Sequence, residues 1–176
     1  GAAVLVLEKE SRARERGAGI YGSLVACAAT GSPAGISRYE TGGGQMARAM
    51  DQTLRRAGLS PGQVDYLSAA ANSTRELDRA EAGAIQKVFG GGTRSPAVSS
   101  LKSHTGDFCG SGTLRAAALL RAMKNGKIPP TLGLTDPEFD LDHVVGLPRE
   151  RAIQYALLNG FSFGGANVCL LFRNED

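Results

Sequence analysis

The sequence predicts an α/β domain with a mixed central sheet covered by helices, and three observations carry that reading. Short apolar runs alternate with segments whose apolar residues recur at helical spacing. The last two apolar runs, 152–158 and 168–172, follow each other through a loop with no helix between them, so the sheet is mixed rather than all parallel. The 24 glycines in 176 residues, roughly twice the usual share, supply the tight turns and close backbone approaches that such a sheet needs.

The elements follow in order. Residues 2–7 (AAVLVL) read as a buried strand, and 8–16 as a polar helix closed by Gly17. Residues 20–30 read as a long strand, and 31–44, with Pro33 and five glycines, as a loop. Met46, Ala49, Met50, Thr53, Leu54 and Ala57 mark a helix ending at Gly58. Ser60 and Pro61 turn the chain into a strand over 64–69. Ser73 or Thr74 is placed to cap the next helix, which carries Ala80, Ala84, Ile85 and Val88 and closes at 90–92. Residues 97–100 form a strand. Residues 106–124 read as a helix with its faces set by Leu114, Ala117, Ala118, Leu120 and Arg121, broken by Pro129 and Pro130.

Composition excludes several classes. The chain has no Trp and 6% aromatic residues, too few for base-stacking surfaces, so no nucleic-acid partner is expected. The three cysteines, Cys27, Cys109 and Cys169, form no CxxC, which argues against a disulfide framework or zinc and for a reducing, cytoplasmic setting. No signal peptide or apolar run of about 18 residues is present, so no membrane partner is expected. Net charge is +3, and Arg12, Arg14 and Arg16 form the one basic cluster. It would suit an acidic partner, although a solvated helix face is the plainer reading. Gly1 leads straight into an apolar run with no initiator Met, so residues 1–176 read as one domain cut from something longer.

Three stretches carry chemistry. DYLSAAANST, residues 65–74, is a strand ending in small residues before a helix, the place where ligands collect in open α/β sheets. VSSLKSHTGDFCGSG, residues 98–112, joins a strand to a Lys, a His, an Asp and a Cys. NGFSFGGAN, residues 159–167, has paired glycines that permit positive φ.

Together these stretches resemble the β-ketoacyl synthases, the condensing enzymes of fatty-acid and polyketide assembly. The family's Asn-Ala-His-Gly-Thr-x-Thr motif is matched at Tyr66, Ala69, Ser73, Thr74, Asp78, Ala80 and Glu81, but its catalytic His falls on Ala70, its Gly on Ala71 and a Thr on Asn72. Its KSxTGH motif is matched at Lys102, Ser103, Thr105 and Gly106, with the His falling on Asp107 and a later Glu on Ala116. Its NSFGFGGxN loop is matched at Phe161, Phe163, Gly164, Gly165 and Asn167, and Lys127–Thr131 resembles its Pro-Pro-Thr step. The resemblance implies a thiolase-like fold, with this chain as the C-terminal half of a subunit whose N-terminal half bears the cysteine nucleophile. None of the three cysteines here sits at that nucleophile position.

The resemblance further implies acyl substrates on the phosphopantetheine arm of an acyl carrier protein, and a homodimer or a heterodimer with an active synthase. Phe163, Gly164 and Gly165 fall on the acyl-pocket gate. No organic cofactor or metal is expected. Family members can hold a monovalent cation near the active site, but Ala116, Ser68 and Leu158 replace residues that help form it.

Condensation in the family uses two histidines that donate to developing oxyanions. Ala70 has no donor, and an ionised Asp107 offers only acceptors. Asp107 is instead a ready counter-charge for Lys102, whose family partner is lost at Ala116. His104 is the candidate substitute donor, and His143 reads as structural. The first reading is a condensation-deficient, chain-length-factor-like partner. The alternative is a divergent 3-oxoacyl-ACP synthase or acyltransferase using a cysteine from the other half. A third, an isolated interaction domain, would have to cover a large apolar face.

Overall fold

In the computed structural model, residues 1–90 and 94–175 are described. Their order is α1 (Glu10–Glu15), β1 (Ser23–Gly31), α2 (Gly44–Ala57), β2 (Tyr66–Ser68), α3 (Arg75–Phe89), β3 (Ala97–Ser99), α4 (Lys102–Thr105), α5 (Ser111–Asn125), β4 (Lys127–Ile128), β5 (Arg149–Glu150), β6 (Tyr155–Phe161) and β7 (Ala166–Arg173). Five strands make the main sheet in the order β1-β7-β6-β2-β3, and β4 and β5 make a small antiparallel pair. β1, β7 and β6 pair antiparallel, whereas β6, β2 and β3 pair parallel. The sheet is mixed, as the adjacent last two runs imply.

Helices cover both faces where the strands are most apolar. Met46, Met50 and Leu54 of α2 and Leu77 and Ile85 of α3 pack on Leu67, Leu157 and Leu171. Leu119 and Met123 of α5 pack on the opposite face, against Tyr66, Ala156, Leu158 and Phe172. All three residues of β2 and of β3 are buried, as expected for short strands sandwiched between helices. At Gly43 (φ +65°) an added Cβ would run into the Ala80 carbonyl oxygen, so glycine lets α2 approach α3.

Several boundaries differ from the sequence reading. Residues 2–7 are not a strand: they pair with no ladder among the described residues, and Val4 and Val6 are 89% and 88% exposed while Leu5 packs beside the α5 cluster. An apolar run becomes a strand only where a neighbour takes its backbone groups. Residues 106–124 are not one helix. Gly106 (φ +80°) and Gly110 (φ +93°) leave right-handed space, so Lys102–Thr105 forms its own turn of helix and α5 begins at Ser111. Gly126 (φ +61°) stops α5 before the prolines are reached. The loop 159–167 shrinks to a turn, because Asn159, Gly160 and Phe161 pair with Cys169, Val168 and Asn167. Thr74 takes the N-cap position of α3, as the sequence allows, but its side chain makes no capping hydrogen bond. The closing glycines Gly91 and Gly92 lie outside the described residues. Among the described residues no helix is long and apolar enough to cross a membrane.

Candidate functional site

The three motif stretches converge because β2, β3 and β6 run parallel and end at the same edge. Ala69 and Ala70 follow β2, Ser100 to Lys102 follow β3, and the turn holding Phe163 to Gly165 follows β6. That edge is where an open sheet leaves a crevice. A groove of about 790 Å³ lies beside it, with Asn72, Asp78, Lys102 and Asp107 among its polar walls and Val98 and Leu141 among its apolar ones.

Lys102 and Asp107 form the expected pair. Lys102 Nζ lies 3.0 Å from Asp107 Oδ1, with the Lys side chain 8% exposed and the Asp side chain 38% exposed. Asn72, at the position of a family threonine, donates from Nδ2 to Asp107 Oδ2 at 2.6 Å. Partial burial pushes the Asp107 carboxyl upward, but the Asn72 hydrogen bond and the Lys102 hydrogen bond and charge outweigh it and hold it below its ordinary value. Asp107 is therefore a carboxylate near neutral pH, with each oxygen already engaged.

Removing that carboxylate should be felt. Asp107→Ala leaves a buried ammonium without its counter-ion, a loss of several kcal/mol in a dry interior. Because Asp107 keeps more than a third of its side-chain surface in water, about 1–3 kcal/mol is expected. Urea unfolding should show a lower midpoint for Asp107→Ala and partial recovery in Lys102→Met/Asp107→Ala. A double variant as unstable as the single would show that the pair is not what holds Lys102.

Ala70 is fully buried and offers only its backbone N–H, which donates to Glu81 Oε1 at 2.9 Å. Asn159 Nδ2 donates to the same oxygen at 2.9 Å. Glu81 is 1% exposed, and burial pushes its carboxyl upward against the opposing pull of those donors and of Arg115.

Arg115 is the residue that the motifs do not announce. It is 2% exposed, and its Nη2 donates to Ser68 O at 3.0 Å and Ala69 O at 2.7 Å. Burial pulls the guanidinium below its ordinary value, with Glu81, Tyr66 and Asp107 opposing. A signal existed in the sequence: Arg115 lies in line with Ser111, Leu119 and Ala122 on the buried stripe of α5, where a charge demands a partner.

The remaining candidates are placed as follows. His104 Nε2 is 2.7 Å from Pro130 O, so that nitrogen is committed to the backbone. His143 Nε2 is 3.1 Å from Phe139 O, and burial lowers its pKa. Cys27 and Cys109 are exposed, while burial pushes the Cys169 thiol up to about 12. Phe163 is 52% exposed, with its ring 4.3 Å from that of Tyr39, a contact absent from the sequence reading. At Gly165 (φ +80°) an added Cβ would run into Ser32, leaving no room for a side chain. Among the described residues no group of three or more His, Cys, Asp or Glu is arranged to hold a metal ion. The monovalent cation of the condensing enzymes does not fit while Arg115 is in place: its guanidinium already takes the Ser68 and Ala69 carbonyls, and the side chains at 116 and 158 add no oxygen.

Residues 21–135 match the family described as beta-ketoacyl synthase, C-terminal domain. The chain is 40% identical over 176 residues to 3-oxoacyl-[acyl-carrier-protein] synthase 2 of Synechocystis sp., covering 98% of itself and 42% of that protein. It is 36% identical to the putative polyketide beta-ketoacyl synthase 1 of Streptomyces cyaneus, covering 97% of itself and 41% of that protein. Among solved structures, the ishigamide ketosynthase/chain length factor superposes with a TM-score of 0.91 at 30% identity, covering 100% of this chain and 43% of that one. A beta-ketoacyl synthase from Burkholderia phymatum superposes with a TM-score of 0.85 at 34% identity, covering 96% and 41%. The chain thus spans less than half the length of these relatives. The fold is thiolase-like, and the chain belongs to the β-ketoacyl synthase family.

Proposed function

We propose that the chain is the C-terminal half of a synthase-like subunit that does not condense and acts, as chain-length factors do, beside an active synthase in fatty-acid or polyketide assembly. The observation that carries this reading is the Asp107 carboxylate at a catalytic histidine position, with its two oxygens held by Lys102 and Asn72. Such a group repels a developing oxyanion where the family supplies a donor. Ala70 removes the other donor, and the His104 nitrogen on Pro130 O does not replace it. The fit to a ketosynthase/chain length factor structure supports the partner role. A relative solved as a ketosynthase in complex with its acyl-carrier protein supports a carrier-bound acyl chain as the ligand. The N-terminal half of the same subunit, a dimer with an active synthase and a cytoplasmic site of action complete the reading, and Phe163 with Gly164 and Gly165 forms the gate to the acyl chain.

The test is the intact mass of the full-length protein after incubation with a mass-tagged acyl-carrier thioester. No adduct, together with co-purification with an active synthase, is the expected result. A stable single-acyl adduct that disappears on cysteine blocking would overturn it in favour of a divergent acyltransferase.

A further inference from the structure

We infer that the Arg115 guanidinium is this chain's own replacement for a bound monovalent cation, fixed covalently in an oxygen-lined site beneath Ala70. Oxygens of three kinds gather there. Ser68 O and Ala69 O accept from Nη2 at 3.0 Å and 2.7 Å, and Ser68 Oγ lies 3.4 Å away. The Glu81 carboxyl, bonded to the Ala70 N–H and to Asn159, keeps its Oε2 without a hydrogen-bond partner, and Asn159 Oδ1 is also unpartnered. Carbonyl, amide and carboxylate oxygens are the donor set of a hard cation. Buried together they are costly without positive charge nearby.

Arg115 supplies that charge. Its positive charge favours the ionised form of both Glu81 and Asp107. Its Nε has no hydrogen-bond partner, and the carbonyls take the single atom Nη2. The group therefore behaves more like a point charge seated on carbonyls than like the bidentate fork for which arginine is otherwise selected. The consequence is a site whose charge does not depend on the ions in solution.

The experiment is thermal unfolding of the full-length protein in potassium, sodium and tetramethylammonium chloride at equal ionic strength. The wild-type protein is expected to melt at the same temperature in all three. Arg115→Ala should become ion-selective, its melting temperature rising by a few degrees per tenfold increase in the small cation but not in tetramethylammonium. Arg115→Lys, which keeps a positive charge on a side chain of similar length, should remain ion-independent. Arg115→Met, which fills the volume without charge, should be destabilised. If Arg115→Ala folds only when a small cation is present, the inference is supported in its strongest form. A wild-type protein selectively stabilised by potassium or sodium would overturn it, as would an Arg115→Lys variant that behaves like Arg115→Met.

Discussion

Condensation by the full-length protein is expected to run at least about 10⁴-fold slower than by its 3-oxoacyl-ACP synthase relatives, and one restored histidine should not recover it. Loss of a single oxyanion donor costs about 10²–10³ in rate, and on the proposed reading both donor positions, 70 and 107, are substituted. Taken together the losses are worth about 5–8 kcal/mol of transition-state stabilisation. The second substitution is worse than neutral. Asp107 is held ionised by Asn72 and Lys102, so it places negative charge where negative charge would develop. It also occupies Lys102, the lysine retained from that motif. Asp107→His would lift the repulsion and release Lys102, yet Ala70 would still offer no side-chain donor, leaving the rate about 10²-fold or more below an intact relative. Carbon dioxide release from malonyl-carrier thioester, with and without an acyl primer, measures this directly. A wild-type rate within tenfold of an active relative would remove the basis of the proposed role.

Much of this site was legible before the structure, and what was not has a common cause. Motif matching placed Ala70, Lys102 and Asp107 at one sheet edge because strand ends carry fixed sequence signals. It also anticipated the Lys102–Asp107 pair, since a lost Glu at 116 and a gained Asp at 107 balance in charge. The order of elements followed from apolar spacing. Cross-strand partnership was not legible. Asn159 and Gly160 look like loop residues, yet they continue β6 because β7 lies alongside them. The run 2–7 looks like a strand, yet no described strand takes its backbone groups. Arg115 was hidden for a related reason. The spacing of Ser111, Arg115, Leu119 and Ala122 was the available signal, but only the packing of α5 on the sheet shows that this stripe turns inward, with the guanidinium on the carbonyls of Ser68 and Ala69. Tyr39 likewise meets Phe163 across more than a hundred residues of chain.

Glu81 should be the residue that ties stability to pH. Glu81→Ala is expected to cost about 3–5 kcal/mol, because it strands the buried Ala70 N–H and Asn159 amide, each worth about 1–3 kcal/mol. Glu81→Gln keeps an oxygen for those donors and should cost less, while removing the titration. Burial raises the Glu81 carboxyl in the folded state above its ordinary 4.5. The folded protein then binds that proton more tightly than the unfolded chain does. The resulting stabilisation is fully present below 4.5 and is lost as pH rises through the raised folded value. Asp78, also raised by burial, gives a slope of the same sign from its own ordinary 3.8. Unfolding free energy measured by urea titration across this range should therefore fall less steeply with pH in Glu81→Gln than in the wild-type protein. Arg115 opposes the rise at Glu81, so Arg115→Met should push the folded value further up and extend the falling window to higher pH. Parallel slopes in all three proteins would mean that the Glu81 carboxyl does not titrate on folding, and that its charge is not what Arg115 answers.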